Sequence, residues 1–345
     1  MKIAVIFGGK SAERDVSVAS GAQVVNALKG CGHTVIAVDT AMGILSPAEA
    51  EGLLASDIRS VPPGADTLAV IRSGMSAFVT SSELADCDVL FLALHGGIGE
   101  DGTIQAVLDM AGVPYTGSRH MASVYAMDKD VSKRIVVSAG IPTPDWLMAP
   151  VTADEVAAKT GYPVVVKPNK QGSTIGLTVV DAPAHFEAAV NEASHHDNEV
   201  MIEAFIPGRE LTVGILEDRA LAVGEIIPRN SGIFDYESKY QEGGAEEIFP
   251  ADLSDRITGA VQDLGLRAHR ALKLADYSRI DFRLDPEGRL WFLEANSLPG
   301  MTVGSLLPKS AAACGIAFPD LCERICRLAV RRHDKAIGQN PVAPG

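Results

Sequence analysis

Apolar, strand-like segments alternate with helical segments along the first third of the chain. Residues 2–7 form an apolar run that ends in two glycines, and a helical pattern follows over residues 16–28. A further apolar run at 88–94 precedes a glycine-rich segment and another helical pattern. This alternation predicts an α/β fold with a mostly parallel sheet. Ligands bind such sheets beyond the carboxyl ends of the strands, where residues 8–13 and 95–102 are expected to lie.

The whole chain is too long for one ordinary domain, since it has 345 residues. Its segments predict an N-terminal α/β unit over residues 1–118 and a smaller central α+β unit over residues 119–206. A C-terminal α+β unit is predicted over residues 207–332. The Gly-, Pro- and Asn-containing segment 333–345 is expected to be a flexible tail.

Charge and hydropathy exclude some classes of function. The chain has 30 Lys and Arg against 44 Asp and Glu, a net charge of −14, which disfavours general binding to nucleic acid or to anionic membranes. A local basic pocket for phosphates stays compatible with this charge. The sequence contains neither an apolar stretch of about 18 residues nor a signal-peptide pattern. Its five scattered cysteines suit a reducing compartment. We therefore expect a cytoplasmic protein.

The strongest chemical signal is a predicted hairpin over residues 279–296. The turn sequence Asp-Pro-Glu-Gly at 285–288 lies between two alternating strand patterns. Closure of that turn by its first and last residues would place Asp281 opposite Phe292 and Arg279 opposite Glu294.

Side chains alternate between the two faces of a strand, so this register puts four polar residues on one face. They are Arg279, Asp281, Glu294 and Asn296. Two carboxylates and an amide oxygen are ligands suited to Mg²⁺, which usually also binds phosphate oxygens. The alternative is a ladder of ion pairs on a solvated face, and a slip of one residue in register would separate the group.

Two glycine-containing loops are further candidates. Residues 97–102 match the pattern GxGxxG, but Glu100 and Asp101 would bring negative charge towards a pyrophosphate. An acid-bearing substrate loop is therefore favoured over a dinucleotide site or a plain turn. Lys167 ends a strand before the loop 168–176, which could hold phosphate with its amides, although it lacks Walker A spacing and could be an ordinary turn.

Taken in order and spacing, these segments resemble the D-alanine–D-alanine ligases of the ATP-grasp superfamily. The resemblance runs from Lys2 to about Leu328. The segments that carry it are 8–17, 95–103, 127–129, 166–173, 235–240, 279–281 and 293–302. Each segment by itself is only modest evidence for the family, whereas their joint order and spacing are highly specific for it. The resemblance implies a three-domain ATP-grasp fold and a homodimer formed through the N-terminal domain.

The resemblance also implies an ATP site between the central and C-terminal domains. Phosphates would be bound by Lys129, Lys167 and Lys239, and the nucleoside by Glu203 at the adenine and Glu210 at the ribose. Two Mg²⁺ (or Mn²⁺) ions would be held by Asp281, Glu294 and Asn296, the residues that the hairpin pattern also groups.

The implied reaction joins two D-alanine molecules for peptidoglycan synthesis, through a D-alanyl phosphate. Residues implied at the amino acid sites are Glu13, which would hold the first ammonium together with Ser173 and Tyr240, then His95, Ser305 and Leu306. Arg279 and the Gly300 amide would stabilise the oxyanion.

Some positions depart from the family's commonest pattern. Phe234 stands where a tyrosine is frequent, and Gly304 removes a side chain near the acceptor. Tyr240 favours an amine acceptor over D-lactate but leaves D-serine open. Other readings are an ATP-grasp carboxylate–amine ligase with different amino acids, or a non-catalytic ATP-binding regulator. Loop 228–248 is expected to close as a lid that excludes water.

Overall fold

The computed structural model describes residues 1–9, 13–54, 84, 86–228 and 245–339. Over these residues the chain has the predicted α/β fold, with strands arranged in three sheets.
The strands are β1 (Lys2–Phe7), β2 (Thr34–Asp39), β3 (Gly43–Ile44), β4 (Val89–Leu92), β5 (Trp146–Met148), β6 (Val164–Pro168), β7 (Thr178–Val180), β8 (Val200–Ala204), β9 (Arg209–Leu216), β10 (Arg219–Pro228), β11 (Ala245–Ile248), β12 (Tyr277–Leu284) and β13 (Leu290–Asn296).
The helices are α1 (Arg14–Gly30), α2 (Pro47–Leu54), α3 (Thr103–Ala111), α4 (His120–Met127), α5 (Lys129–Ser138), α6 (Ala153–Lys159), α7 (Phe186–Ser194), α8 (Asp255–Ala271), α9 (Leu306–Ala312) and α10 (Phe318–Gln339).

The first sheet has the order β3-β2-β1-β4, and β1 is parallel to both β2 and β4. This confirms the predicted parallel sheet, to which β3 adds a short antiparallel edge. The carboxyl ends of β1 and β4 lead to Gly8 and His95. Gly8 has a φ of +93°, and a Cβ there would lie 2.5 Å from a guanidinium nitrogen of Arg14, so only glycine fits this turn.

The second and third sheets are antiparallel and follow in chain order. The second has the order β5-β8-β6-β7, and its apolar face packs against α6 and α7 through side chains such as Val164 and Phe186. The third has the order β11-β10-β9-β12-β13, and α8 contributes Val261 and Ala268 to its core. Strand ends from both sheets approach each other at the cleft described below.

The sequence patterns missed several short elements. Strand β5 and helix α6 have no predicted counterpart, and β11 lies within the predicted loop 228–248. Helix α6 did carry a signal, because Thr152 and Glu155 form a capping box at its start. None of the helices in the described part of the chain is long and apolar enough to cross a membrane.

Helix α10 continues beyond the boundary predicted after residue 332, as far as Gln339. Arg332 ties this helix to the first and third sheets. Its Nη2 donates to the carbonyl oxygens of Tyr115 at 2.7 Å and Gly117 at 2.9 Å, and it pairs with Asp276 at 3.0 Å. Asp276 is buried and has a φ of +61°. The ion pair thus joins three segments that are distant in sequence.

Replacement of Arg332 by methionine is expected to lower the free energy of unfolding by about 3 kcal/mol, because it leaves the buried Asp276 carboxylate without its guanidinium partner. Urea denaturation would measure this. The matched control is Arg327→Met on the same helix, where the exposed Arg327 pairs only with Glu323 among the described contacts. Equal losses for the two variants would contradict the role of Arg332.

Candidate active site

A cleft with an empty volume of about 1020 Å³ lies between the second and third sheets. Residues from β6, β8 and the loop after β6 face residues from β9, β12 and β13 across it. Its charged lining residues are Lys129, Lys167, Glu203, Glu210, Arg279, Asp281, Arg283 and Glu294. Apolar side chains such as Ile175 and Leu293 complete the lining. The cleft can therefore accept a ligand with an apolar part and an anionic part.

Glu203 is a buried carboxylate on β8 that is shared by two lysines. Lys167 on β6 donates to its Oε2 at 2.6 Å, and Lys133 on α5 donates to its Oε1. Burial by itself would raise the pKa of Glu203, but the two ammonium groups outweigh burial and lower that pKa. Glu203 is therefore ionised at neutral pH.

Lys129 begins α5 and reaches the opposite side of the cleft. Its Nζ donates to the carbonyl oxygen of Gln171 at 2.7 Å and lies 3.6 Å from Glu294. Asn169, which is fully buried, holds this arrangement because its side chain donates to Asp128, the N-cap of α5, and accepts from the amide of Asp130 in the first turn of that helix. Two of the three predicted phosphate lysines, Lys129 and Lys167, are thereby fixed relative to each other.

The hairpin of β12 and β13 has a different register from the predicted one. Asp281 pairs with Glu294 instead of Phe292, and Arg279 pairs with Asn296 instead of Glu294. The turn is one residue longer than predicted, with Leu284 paired to Leu290, and a bulge follows at Asp281/Phe282. The register predicted from closure of the turn by Asp285 and Gly288 was therefore wrong.

The predicted shared face nevertheless survives, because the two one-residue shifts add up to the period of a strand. Asp281 and Glu294 both line the cleft, and the amide nitrogen of Asn296 donates to Asp281 at 3.1 Å. Asp281 also accepts hydrogen bonds from Thr212 at 2.7 Å and Arg279 at 2.8 Å. Arg279, Asp281 and Asn296 are thus joined by hydrogen bonds, and Glu294 lies opposite Asp281 in the register.

This cluster offers two carboxylates and the amide oxygen of Asn296. Such a donor set fits a hard cation such as Mg²⁺ when phosphate and water oxygens complete its coordination. Among the residues that the structure describes, three or more His, Cys, Asp or Glu side chains do not gather at any one point in a way that could hold a metal.

Glu13, at the start of α1, is brought to the loop after β6. The hydroxyl of Ser173 donates to Glu13 Oε1, and both side chains are buried. Ser173 and Thr174 have φ values of +52° and +58°, which is rare for side-chain-bearing residues. A Cβ on Gly172 would lie 3.1 Å from Glu13 Oε2. The tight loop thus brings the Glu13 carboxylate, which follows β1, to the edge of the cleft.

His95 follows β4 and is buried against the segment after β13. Its Nδ1 donates to the carbonyl oxygen of Leu298 at 3.0 Å, and its Nε2 accepts from the hydroxyl of Ser20 at 3.0 Å. The carbonyl has no proton to give, which assigns the proton to Nδ1. Burial lowers the pKa of His95, and the Glu13 carboxylate only partly opposes this. The imidazole is therefore neutral at pH 7.

Glu100 accepts hydrogen bonds from the amides of Gly96 and Leu298, each at 3.2 Å. Burial, with repulsion from the Glu13 carboxylate, raises the pKa of Glu100 to about 7. The sequence marked its loop as acid-bearing and favoured a substrate role for it. The structure places that acid beside Glu13 and His95, on the side predicted to bind the amino acids.

Glu100 is expected to make folding stability fall as the pH rises. Its pKa is about 7 in the folded chain against 4.5 as a free side chain, so the folded state binds the extra proton. The stabilisation is complete below about pH 4.5 and is lost as the pH rises through about 7. As the pH rises from about 4.5 through about 7, the free energy of unfolding of Glu100→Gln should increase relative to that of the wild type by on the order of 1–3 kcal/mol. Denaturation at each pH would measure this difference. A constant difference between the two proteins would contradict the raised pKa.

The remaining predicted residues lie at two places. Gly300 and Ser305 are in the segment before α9, where a Cβ on Gly300 would lie 2.8 Å from Ser305 Oγ; Leu306 lines the cleft. Glu210 also lines the cleft and lies 3.4 Å from Arg283. Lys239, Tyr240 and Phe234 lie outside the described residues.

The sequence analysis missed Lys133, which stands one helical turn after Lys129 on α5. That i, i+4 spacing puts the two lysines on the same face of α5, and it was visible in the sequence.

Comparison with known proteins gives a consistent result. The family description "D-ala D-ala ligase N-terminus" matches residues 2–118, and "D-ala D-ala ligase C-terminus" matches residues 135–327. The D-alanine--D-alanine ligase of Synechococcus sp. (strain JA-2-3B'a(2-13)) is 37% identical over 345 residues, which cover 99% of this chain and 97% of that protein.

Solved structures agree in fold over nearly the whole chain. The D-alanine--D-alanine ligase from Bacillus anthracis, complexed with ATP, has a TM-score of 0.76 at 29% identity and covers 97% of this chain and 99% of its own. The VanG D-Ala:D-Ser ligase from Enterococcus faecalis has a TM-score of 0.77 at 28% identity and covers 95% of this chain and 99% of its own.

Proposed function

Because this chain belongs to the D-alanine–D-alanine ligase family, we propose that it uses ATP to join two D-alanine molecules for peptidoglycan synthesis. The products are D-alanyl-D-alanine, ADP and phosphate. The observation that carries this proposal is the cleft between the second and third sheets, where Lys129 and Lys167 face the carboxylates of the hairpin. Cations on one wall and metal-binding oxygens on the other are what a nucleoside triphosphate requires.

The nucleotide would lie along this cleft. Lys129 and Lys167 would bind its phosphates, Glu203 its adenine and Glu210 its ribose. Asp281, Glu294 and Asn296 would hold two Mg²⁺ (or Mn²⁺) ions, which supply charge neutralisation at the phosphoryl oxygens. Lys239 would reach the γ-phosphate from loop 228–248, which we propose as the lid.

The first D-alanine would be held by its ammonium at Glu13, whose carboxylate Ser173 already fixes. Its carboxylate attacks the γ-phosphorus, the bond from that phosphorus to the β,γ-bridging oxygen breaks, and ADP leaves a D-alanyl phosphate. The amine of the second D-alanine then attacks the acyl carbon, and phosphate departs. Arg279 and the Gly300 amide would stabilise the oxyanion in this step.

The remaining groups would order the amino acids. Ser305 and Leu306 would position the carboxylate of the second D-alanine, and Tyr240 would complete the hydrogen bonding of Glu13 and Ser173. His95 would line the pocket as a neutral imidazole, held by Ser20.

We propose the domain division 1–118, 119–206 and 207–332, with one sheet in each unit, and helix α10 extends the third unit to Gln339. The ligase is proposed to be cytoplasmic, where ATP and D-alanine are available, and to form a homodimer through its N-terminal domain. Neighbouring helices α3 and α4 expose Val107, Met110, Met121 and Val124, and Met110 is 91% exposed. This apolar surface supports a partner of the same chain, and sedimentation velocity would measure the mass.

Phosphate release from Mg-ATP tests the function directly. D-alanine, L-alanine, D-serine and D-lactate would be supplied singly, and each of the last three also together with D-alanine, and the products identified by mass. We expect phosphate and dipeptide with D-alanine alone. Faster turnover with D-alanine and D-serine together would keep the mechanism and place the altered specificity at Tyr240 and Gly304. Binding of Mg-ATP without turnover under any condition would refute the ligase.

A further inference from the structure

Lys133 is a fully buried lysine behind the nucleotide cleft. Its side chain has 0% exposure, and it does not belong to the residues that line the cleft. Its Nζ donates to Glu203 Oε1 and, at 2.8 Å, to the hydroxyl of Thr143, and it lies 4.9 Å from the centre of the Trp146 ring. Burial of an ammonium group is costly unless the group is paired with an opposite charge. The ion pair with Glu203 therefore accounts for the burial of Lys133.

Glu203 has a second cationic partner, Lys167, which lines the cleft, whereas Lys133 lies behind it. Lys167 donates to Glu203 Oε2 at 2.6 Å and also lines the cleft, where the proposed phosphates would lie. One buried carboxylate needs only one counter-ion. The cluster of one carboxylate and two ammonium groups therefore contains a cation that a bound anion can draw away.

We propose that Lys133 is a positioning residue of the nucleotide site, which keeps Glu203 ionised and in place when Lys167 turns from that carboxylate to the phosphates of ATP. This inference rests on the proposed function, because it requires ATP in this cleft. If Lys133 were absent, the movement of Lys167 would leave a buried carboxylate without a counter-ion. Glu203 would then take up a proton as the nucleotide binds.

Proton uptake makes the proposal measurable through linkage. With Lys133 present, Glu203 is ionised both before and after Mg-ATP binds. Glu203 should then contribute no pH dependence to the Kd for Mg-ATP. With Lys133→Met, the Kd should weaken up to tenfold for each unit of rising pH over the interval where only the bound state holds the proton. A structural role alone would shift the Kd by the same factor at every pH.

The charged groups that face this cluster set the usable range. They are Lys167 and Glu203 themselves, together with Asp145 and Asp130, which both lie near Lys133. Burial lowers the pKa of Lys133 to about 8, so the comparison is confined to about pH 5.5–7.5. Within this interval Lys133 stays charged in the wild type.

The experiment is calorimetric titration of Mg-ATP into the whole protein at several pH values, in buffers of different ionisation enthalpy. We expect proton uptake for Lys133→Met that is absent from the wild type and from Lys133→Arg, which keeps the charge. The double variant Lys133→Met/Glu203→Gln should lose the uptake, since it has no carboxylate to protonate. Equal proton uptake by the wild type and Lys133→Met would overturn the inference. A wild type that does not bind Mg-ATP would instead refute the nucleotide site.

Discussion

Arg279→Ala is expected to lower kcat by about 10²–10³-fold while the Kd for Mg-ATP stays close to the wild-type value. The Arg279 guanidinium lines the cleft and is held by Asp281 through contacts of 2.8 and 3.0 Å. A donor fixed in this way needs no reorganisation when negative charge develops on the acyl oxygen. Its contribution therefore arises in the transition state more than in nucleotide binding.

Steady-state kinetics together with equilibrium nucleotide binding separates these two effects. Arg279→Lys should recover only part of the rate, because an ammonium cannot reproduce the two-point contact with Asp281. The matched control is Arg270→Ala, since exposed Arg270 pairs with exposed Asp218 on the surface and should leave both constants unchanged. A loss of nucleotide affinity as large as the loss of kcat would contradict the oxyanion role.

The hairpin illustrates how far a local pattern can predict a site. Alternation was sufficient to place Arg279, Asp281, Glu294 and Asn296 on one face, and the structure keeps them together. The pairing within the hairpin was not predictable, because nothing in the sequence around Leu293 marks a bulge. The face survived only because two errors of one residue added to the strand's period of two.

Contacts between distant segments were beyond any local pattern. Glu13 meets Ser173 across 160 residues, and His95 meets Leu298 across 203. Strand and helix periodicity predicted the elements on which these residues lie but not which loops would touch. Only the order of motifs, read as a family resemblance, placed Glu13 and Ser173 at one site. Lys133, which belonged to no motif, was found from its contacts alone.

The distribution of charge connects the fold with the proposed chemistry. The chain carries a net charge of −14, yet Lys129, Lys167, Arg279 and Arg283 all line one cleft. Four carboxylates line the same cleft, so the local charges compensate one another. Because the cationic side chains are already compensated by these carboxylates, the negative charge of an incoming phosphate group is not. A divalent cation carried with the phosphates would offset that charge. The hairpin carboxylates are therefore the place where metal dependence should be found.

Glu294→Gln is expected to raise the Mg²⁺ concentration required for half-maximal turnover by more than about 100-fold. Loss of a residue that only supports a metal ligand typically lowers metal affinity about 10–100-fold, and loss of a direct ligand should cost more. Glu294 lines the cleft opposite Asp281 in the hairpin register and lies 3.6 Å from Lys129. The amide retains the shape of the side chain but loses the charge that a hard cation prefers. Nucleotide binding should weaken in parallel, because the metal and the phosphates bind each other.

The hairpin also supplies the control for this experiment. Glu287→Gln removes the same charge at the exposed turn, where Glu287 is 64% exposed and pairs with Arg289, so its Mg²⁺ titration should match the wild type. Titrations at fixed ATP, monitored by phosphate release and by nucleotide binding, would compare the two variants. An unchanged Mg²⁺ requirement in Glu294→Gln would remove Glu294 from the metal site. Equal shifts in both variants would mean that net charge, and not coordination, sets the metal dependence.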